Sequence, residues 1–150
     1  IRGNRIYDAG ASITRKDLLG ELPFGNVTVT MSLSGADLGA ALENAVSRIE
    51  DTAGRFAQVS GLRYVYDPAG PKGSRVVSVT VGGKPLDKGR NYTVATNDYM
   101  ARGGDGYAVM KRGKVMIDTA GATLMASQVM DYLTKQGTVA PKVEGRITAK

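Results

Sequence analysis

The chain predicts an α+β domain in which a mixed β-sheet is flanked by helices, and three observations carry that prediction. Residues 27–33 alternate strictly between apolar and polar side chains, the period of a strand with one buried face. Leu38, Leu42, Val46 and Ile49 recur at helical spacing, with Ala41 and Ala45 beside them. Several short strand-like runs then precede a second helical stretch at 122–135, so the order departs from regular strand–helix alternation.

Taken in order, residues 1–13 read as an irregular lead-in with a turn at Asp8-Ala9-Gly10. Thr14 and Asp17 have capping-box spacing, and they open a short helix carrying Leu18, Leu19 and Leu22. Pro23 stops it, because proline has no N–H to continue the ladder. After the alternating strand, Ser34-Gly35-Ala36-Asp37 repeats the capping signal and starts the clearest helix. Residues 56–66 return to strand character through Val59, Leu62, Tyr64 and Tyr66, and 67–73 form a loop rich in Pro and Gly. Residues 75–81 alternate again, Gly82-Gly83 reads as a tight hairpin turn, and 92–95 supply a further strand. Beyond a glycine loop, 107–117 read as one or two short strands broken at Gly113. The helix at 122–135 stops at Gly137, and 143–147 read as a last strand.

Composition removes several functions. The chain of 150 residues is 42% hydrophobic, enough for one domain with a normal core. It has no histidine, cysteine or tryptophan, so the usual zinc ligand sets and histidine-based nucleophile systems cannot be built. The 14 acidic residues show no cluster at ligand spacing. Thr28 or Ser60 as a nucleophile would have only a lysine for a base, so self-contained hydrolysis is not expected. No apolar run is long enough to span a bilayer, and a disulfide scaffold is excluded. The 20 glycines are scattered at turns without a collagen-like period. The net charge of +6 is spread along the chain, with Lys111-Arg112 as its densest cluster. That pattern fits a solvated basic surface that attracts small anions, not a nucleic-acid polymer site.

Two stretches place an aromatic ring beside a polar hook: Leu22-Pro23-Phe24-Gly25-Asn26, and 97–107 with Tyr99 and Gly103-Gly104-Asp105-Gly106-Tyr107. If folding joins them, Phe24 and Tyr99 can clamp a flat ring while Asn26 and Asp105 read polar groups. Each piece also has an ordinary reading. On spacing alone, core packing ranks above ligand stacking for Phe24, and Asn26 and Asp105 could satisfy local backbone groups. Arg2 could bind phosphate or simply stand on the surface.

The series Ile1-Arg2, Pro23-Phe24-Gly25-Asn26, Leu33-Ser34-Gly35 before a helix, Val59-Ser60-Gly61-Leu62, Tyr92, Gly103-Gly104-Asp105-Gly106-Tyr107 and Val143-Glu144-Gly145-Arg146-Ile147 resembles the C-terminal domain of the 5'-nucleotidase family. The resemblance covers essentially the whole chain. It implies a single substrate-binding domain, residues 1–150, of a larger protein that hydrolyses nucleoside phosphates. The catalytic half would be an N-terminal metallophosphoesterase domain holding two divalent metal ions, absent from this sequence. The isolated fragment is then inactive, binds no cofactor of its own and takes nucleosides and nucleotides. By the same resemblance Arg2 contacts phosphate or ribose, Phe24 and Tyr99 sandwich the base, and Asn26 hydrogen-bonds it. Asp105 accepts from the ribose hydroxyls, Gly104 joins it in the substrate-binding set, and Gly54 marks a backbone approach to the base. Tyr99 stands where the family commonly has phenylalanine. The chain begins inside the arginine motif, on Ile1 rather than methionine, which suggests a cut edge with further phosphate-holding arginines upstream. A periplasmic or extracellular bacterial setting is implied. The alternatives are a 2',3'-cyclic phosphodiesterase/3'-nucleotidase, a UDP-sugar hydrolase or thiosulfohydrolase of the same superfamily, or a free-standing nucleotide-binding module.

Overall fold

The computed structural model describes residues 5–117 and 120–150. It contains helix α1 (Arg15–Glu21), strand β1 (Thr28–Ser34), helix α2 (Gly35–Ala45), strands β2 (Leu62–Tyr66), β3 (Val76–Val81), β4 (Lys84–Pro85) and β5 (Asn91–Asn97), a one-turn helix α3 (Asp98–Ala101), strand β6 (Lys114–Ile117), helix α4 (Met125–Gln136) and strand β7 (Ile147–Ala149). The α+β class holds, but the strands divide into two sheets. One is three-stranded and antiparallel in the order β5-β1-β6. The other, β4-β3-β2-β7, is mixed, because β7 pairs parallel to β2 while the other neighbours are antiparallel.

Local signals place most elements where the sequence puts them. The Thr14 side chain accepts from the Asp17 N–H while Asp17 accepts from the Thr14 N–H, which closes the capping box of α1. In β1 the side chains of Val29, Met31 and Leu33 are buried and their neighbours are not, as the alternation requires. Ser34 caps α2 by accepting from the Asp37 N–H. Gly35 follows because its N–H donates to the Arg90 carbonyl at 2.8 Å, and a Cβ there would lie 2.0 Å from the Asp87 carbonyl oxygen. Gly82 and Gly83, at φ +57 and +80, make the two-residue turn that pairs Val81 with Lys84.

Three stretches differ from expectation. Residues 108–112 form a turn of 3₁₀ helix instead of a strand, burying Tyr107 and Met110 three positions apart. The strand at 56–66 is confined to 62–66; Phe56, Ala57 and Val59 pack on the core without joining a ladder. The last strand begins at Ile147, because Gly145 sits at φ +62 and the Glu144 and Gly145 carbonyls accept from Arg63.

Helix α2 is shared by both hydrophobic clusters. Leu38, Ala41 and Ala45 join Met31, Leu33, Tyr107 and Met110, while Leu42 and Val46 join Tyr64. Its C-terminal end is tied to the β2–β3 loop by Glu43, which accepts from the N–H groups of Arg75 and Val76 at 3.0 and 2.9 Å. The buried Arg75 guanidinium donates to the Val46 carbonyl at 2.8 Å and the Gly70 carbonyl at 3.0 Å, and it pairs with Glu50. A cation placed on the last carbonyls of a helix also suits the helix dipole.

The hydrogen bond from Arg75 is the chief reason that the Glu50 carboxyl falls from 4.5 to about 2. A carboxyl lowered in the folded state stabilises fully above its ordinary value, and that contribution fades as the pH falls through the folded one. Glu50→Gln is therefore expected to lower the urea midpoint at about pH 6 and to flatten its fall between about pH 4 and pH 2. A variant that follows the wild-type curve throughout would show that this pair contributes nothing.

Candidate functional site

The site begins with how residues 24–28 are held. The Asn26 N–H donates to the Phe24 carbonyl at 2.7 Å, and the Asn26 carbonyl accepts from the Met125 N–H at 3.0 Å. Thr28 extends the seam by donating its N–H to the Thr123 carbonyl at 3.1 Å. The start of α4 therefore clamps this segment from one side. From the other side comes β5, whose register sets Thr28 opposite Asn97.

Asp98 completes the junction. Its Oδ1 accepts from Asn26 Nδ2 and from the Val27 N–H, both at 3.1 Å, and its other oxygen pairs with Arg102. The Asp98 N–H donates back to the Val27 carbonyl at 3.0 Å. Burial opposes the Asp98 charge, but the Asn26 amide, the Val27 N–H and Arg102 together outweigh it and hold the carboxyl below its ordinary value. A carboxylate thus links two segments 72 residues apart in sequence. Sequence reasoning assigned Asp98 no role, although Arg102 four residues on is a helical-neighbour signal.

Phe24 and Tyr99 flank this link and both are exposed, at 55% and 48%. The core-packing reading of Phe24 does not hold at that exposure. Tyr99 lies in α3, which Asn97 caps by accepting from the Met100 N–H at 2.7 Å. The Tyr99 hydroxyl donates to Asp105 Oδ1 at 3.2 Å. Asp105 thus uses its carboxylate on the tyrosine, and it adopts φ +50, a left-handed conformation uncommon outside glycine.

A polar relay from α2 fixes the Asp105 loop. Asn44 Nδ2 donates to the Asp105 carbonyl at 3.1 Å, and Arg55 donates to Asn44 Oδ1 at 3.3 Å. The buried Tyr107 hydroxyl donates to the Arg55 carbonyl at 2.6 Å. Burial pushes that phenol up, so it stays a donor. No pattern in the sequence marked Asn44 or Arg55. Gly54, next to Arg55, is exposed in a turn, and a Cβ there would meet nothing within 4 Å.

The structure therefore brings Asn26 to the residue preceding Tyr99, and sets Tyr99, Gly104 and Asp105 against one another. Arg55 puts Gly54 at the same end of α2. Arg2 lies outside the described residues. Among the described residues no group of three or more carboxylates could hold a metal ion, and no helix is long and apolar enough to cross a membrane. Chemically, the arrangement offers an amide at Asn26 tied to Asp98, and an exposed Tyr99 ring whose hydroxyl meets the Asp105 carboxylate.

Comparison with known proteins agrees in fold and sequence. Residues 1–112 match the family described as 5'-nucleotidase, C-terminal domain, and the chain belongs to that family. It is 36% identical over 138 residues to a 5'-nucleotidase of Diplobatis ommata, covering 87% of this chain and 24% of that protein. It is 37% identical to a snake venom 5'-nucleotidase of Gloydius brevicauda, covering 91% of this chain and 24% of that one. The crystal structure of a 5'-nucleotidase precursor from Thermus thermophilus superposes with a TM-score of 0.86 at 46% identity, over 91% of this chain and 28% of that one. The chain thus spans about a quarter of the length of these relatives.

The Asp98 link can be tested without ligand. Asp98→Ala leaves the Val27 N–H without its acceptor, and a stability loss of about 1–3 kcal/mol is expected by urea denaturation. The Asn26 side-chain amide resonances should move at the same time. Unchanged resonances would show that the link is not formed in solution.

Proposed function

We propose that this domain binds nucleosides and nucleotides as the substrate-binding part of a 5'-nucleotidase, with the base between Phe24 and Tyr99. The observation that carries this reading is the exposure of two aromatic rings on segments tied together by the Asn26–Asp98 hydrogen bond, in a chain of this family. Rings about half exposed on two linked segments can bury further area against a flat ligand. Stacking on such rings stabilises a base by about 1–3 kcal/mol and tolerates any base, because each has a π face.

Polar groups then supply direction. Asn26 spends one amide hydrogen on Asp98, and its second hydrogen and Oδ1 are what it brings to a base edge. Asp105, as an acceptor-only carboxylate, takes ribose hydroxyls beside the Tyr99 hydroxyl that already reaches it. Gly54 lines the base with open backbone, Gly104 and Asp105 close the rim, and Arg2 reaches phosphate or ribose. Bond cleavage belongs to the two divalent metal ions of a metallophosphoesterase domain beyond this sequence, which would activate water there. This domain contributes binding and presentation of the phosphate, and alone it has no hydrolytic activity. The parent enzyme works in the periplasm or at the cell surface, in keeping with the venom enzyme among its relatives.

The test is a two-dimensional NMR titration with adenosine, AMP and ribose 5-phosphate. Shifts centred on Phe24, Asn26, Tyr99 and Asp105 are expected with adenosine and AMP and not with the base-free sugar phosphate. Tyr99→Ala should weaken adenosine by roughly five- to a hundredfold while barely changing stability, as an exposed ring predicts. Asp105→Asn should weaken adenosine and leave free adenine nearly unaffected; equal weakening of both would remove its ribose role.

A further inference from the structure

We propose that Gly104 is a positioning residue: it is the seat on which the Tyr99 ring lies flat, so that Tyr99 and Asp105 form one preassembled unit. The consequence for ligands rests on the nucleoside-binding reading; the geometry does not. A Cβ at Gly104 would stand 2.4 Å from Tyr99 Cε1 and 2.5 Å from both Cδ1 and Cζ. Near-equal distances to three consecutive ring carbons put that position over the ring face. A point beyond the ring edge would be much nearer to one carbon than to its neighbours.

Backbone conformation does not demand glycine at 104. The neighbouring Gly103, Asp105 and Gly106 lie at φ +89, +50 and +81, whereas Gly104 lies outside the left-handed region. The atoms nearest to a side chain there all belong to the tyrosine ring. The ring is held at two points: by Gly104 beneath its face, and by Asp105 Oδ1 at its hydroxyl, 3.2 Å away. Asp105 is itself fixed through its carbonyl by Asn44 at 3.1 Å. With one face covered and the residue still 48% exposed, Tyr99 offers its other face to a base. A platform fixed before binding avoids the ordering cost that a mobile ring would bring to the complex. Gly104 therefore bears on the ligand by fixing Tyr99.

The experiment compares wild type, Gly104→Ala, Tyr99→Ala and the double variant by NMR. In ligand-free Gly104→Ala the Tyr99 ring resonances should shift. Its affinity for adenosine should fall by about tenfold, as expected when a stacking platform is displaced, while ribose 5-phosphate is unaffected. In the Tyr99→Ala background, Gly104→Ala should cause no further loss of adenosine affinity. Wild-type ring resonances and adenosine affinity in Gly104→Ala would overturn the seat. If Gly104→Ala fails to fold, the double variant has no ring to clash with and should regain the stability of Tyr99→Ala; failure to regain it would equally overturn the proposal. Displaced ring resonances with adenosine affinity unchanged in both single variants would leave the seat standing and refute the nucleoside reading.

Discussion

Burial of helix α2 on two sides is the constraint on which the rest of the molecule depends. Its Leu38, Ala41 and Ala45 face one cluster while Leu42 and the capping residue Val46 face the other, so both sheets are organised on one helix. Each large apolar side chain buried there contributes roughly 1.5–3 kcal/mol, against about 0–1 kcal/mol for an exposed ion pair such as Arg48–Asp51. The helix ends are positioned as closely as its faces. Gly35 admits the 87–90 turn against its first residue, and Arg75 and Glu43 bind its last turn to the β2–β3 loop.

The candidate site is built on the ends of this frame. Asn44 projects from the last turn of α2 to the Asp105 carbonyl, and Tyr107 passes from the core to the Arg55 carbonyl. The loop that carries Asp105 is therefore set by the same packing that holds the sheets. At the other side, β1 and β5 share a register that delivers Asn26 to Asp98. Loops anchored in this way can hold a non-glycine residue at φ +50, because the surrounding contacts over-determine it. Two exposed rings at such a junction are placed by the core without belonging to it.

Much of the fold was legible in the sequence, where one physical signal acted alone. The Thr14–Asp17 box, the alternation of β1, the stripe of α2, the Gly82-Gly83 turn and the Gly137 stop each reflect a local rule of backbone hydrogen bonding or side-chain period. Misreadings arose where two periods fit the same residues. Tyr107 and Met110 satisfy a three-residue turn as well as a broken strand, and only contact with Met31 and Leu33 in the core decides it. The ends of β2 and β7 were misplaced for another reason: ladder pairing depends on partners far along the chain. Arg63 and Arg146 occupy the Glu144, Gly145 and Val59 carbonyls, which fixes where those ladders begin.

The same division runs through the site. By itself the sequence determined the α+β class, the absence of histidine or cysteine chemistry, and the motifs that point to this family, because these are matters of composition, local period and residue order. Tertiary structure decided that the strands form two sheets, that Phe24 faces solvent, and that Asp98 joins the two aromatic segments. It also decided that Gly104 lies under the Tyr99 ring and that Asn44 holds Asp105. Those are contacts between groups made neighbours by burial of α2. Their energy depends on distances and desolvation that residue order does not encode one position at a time.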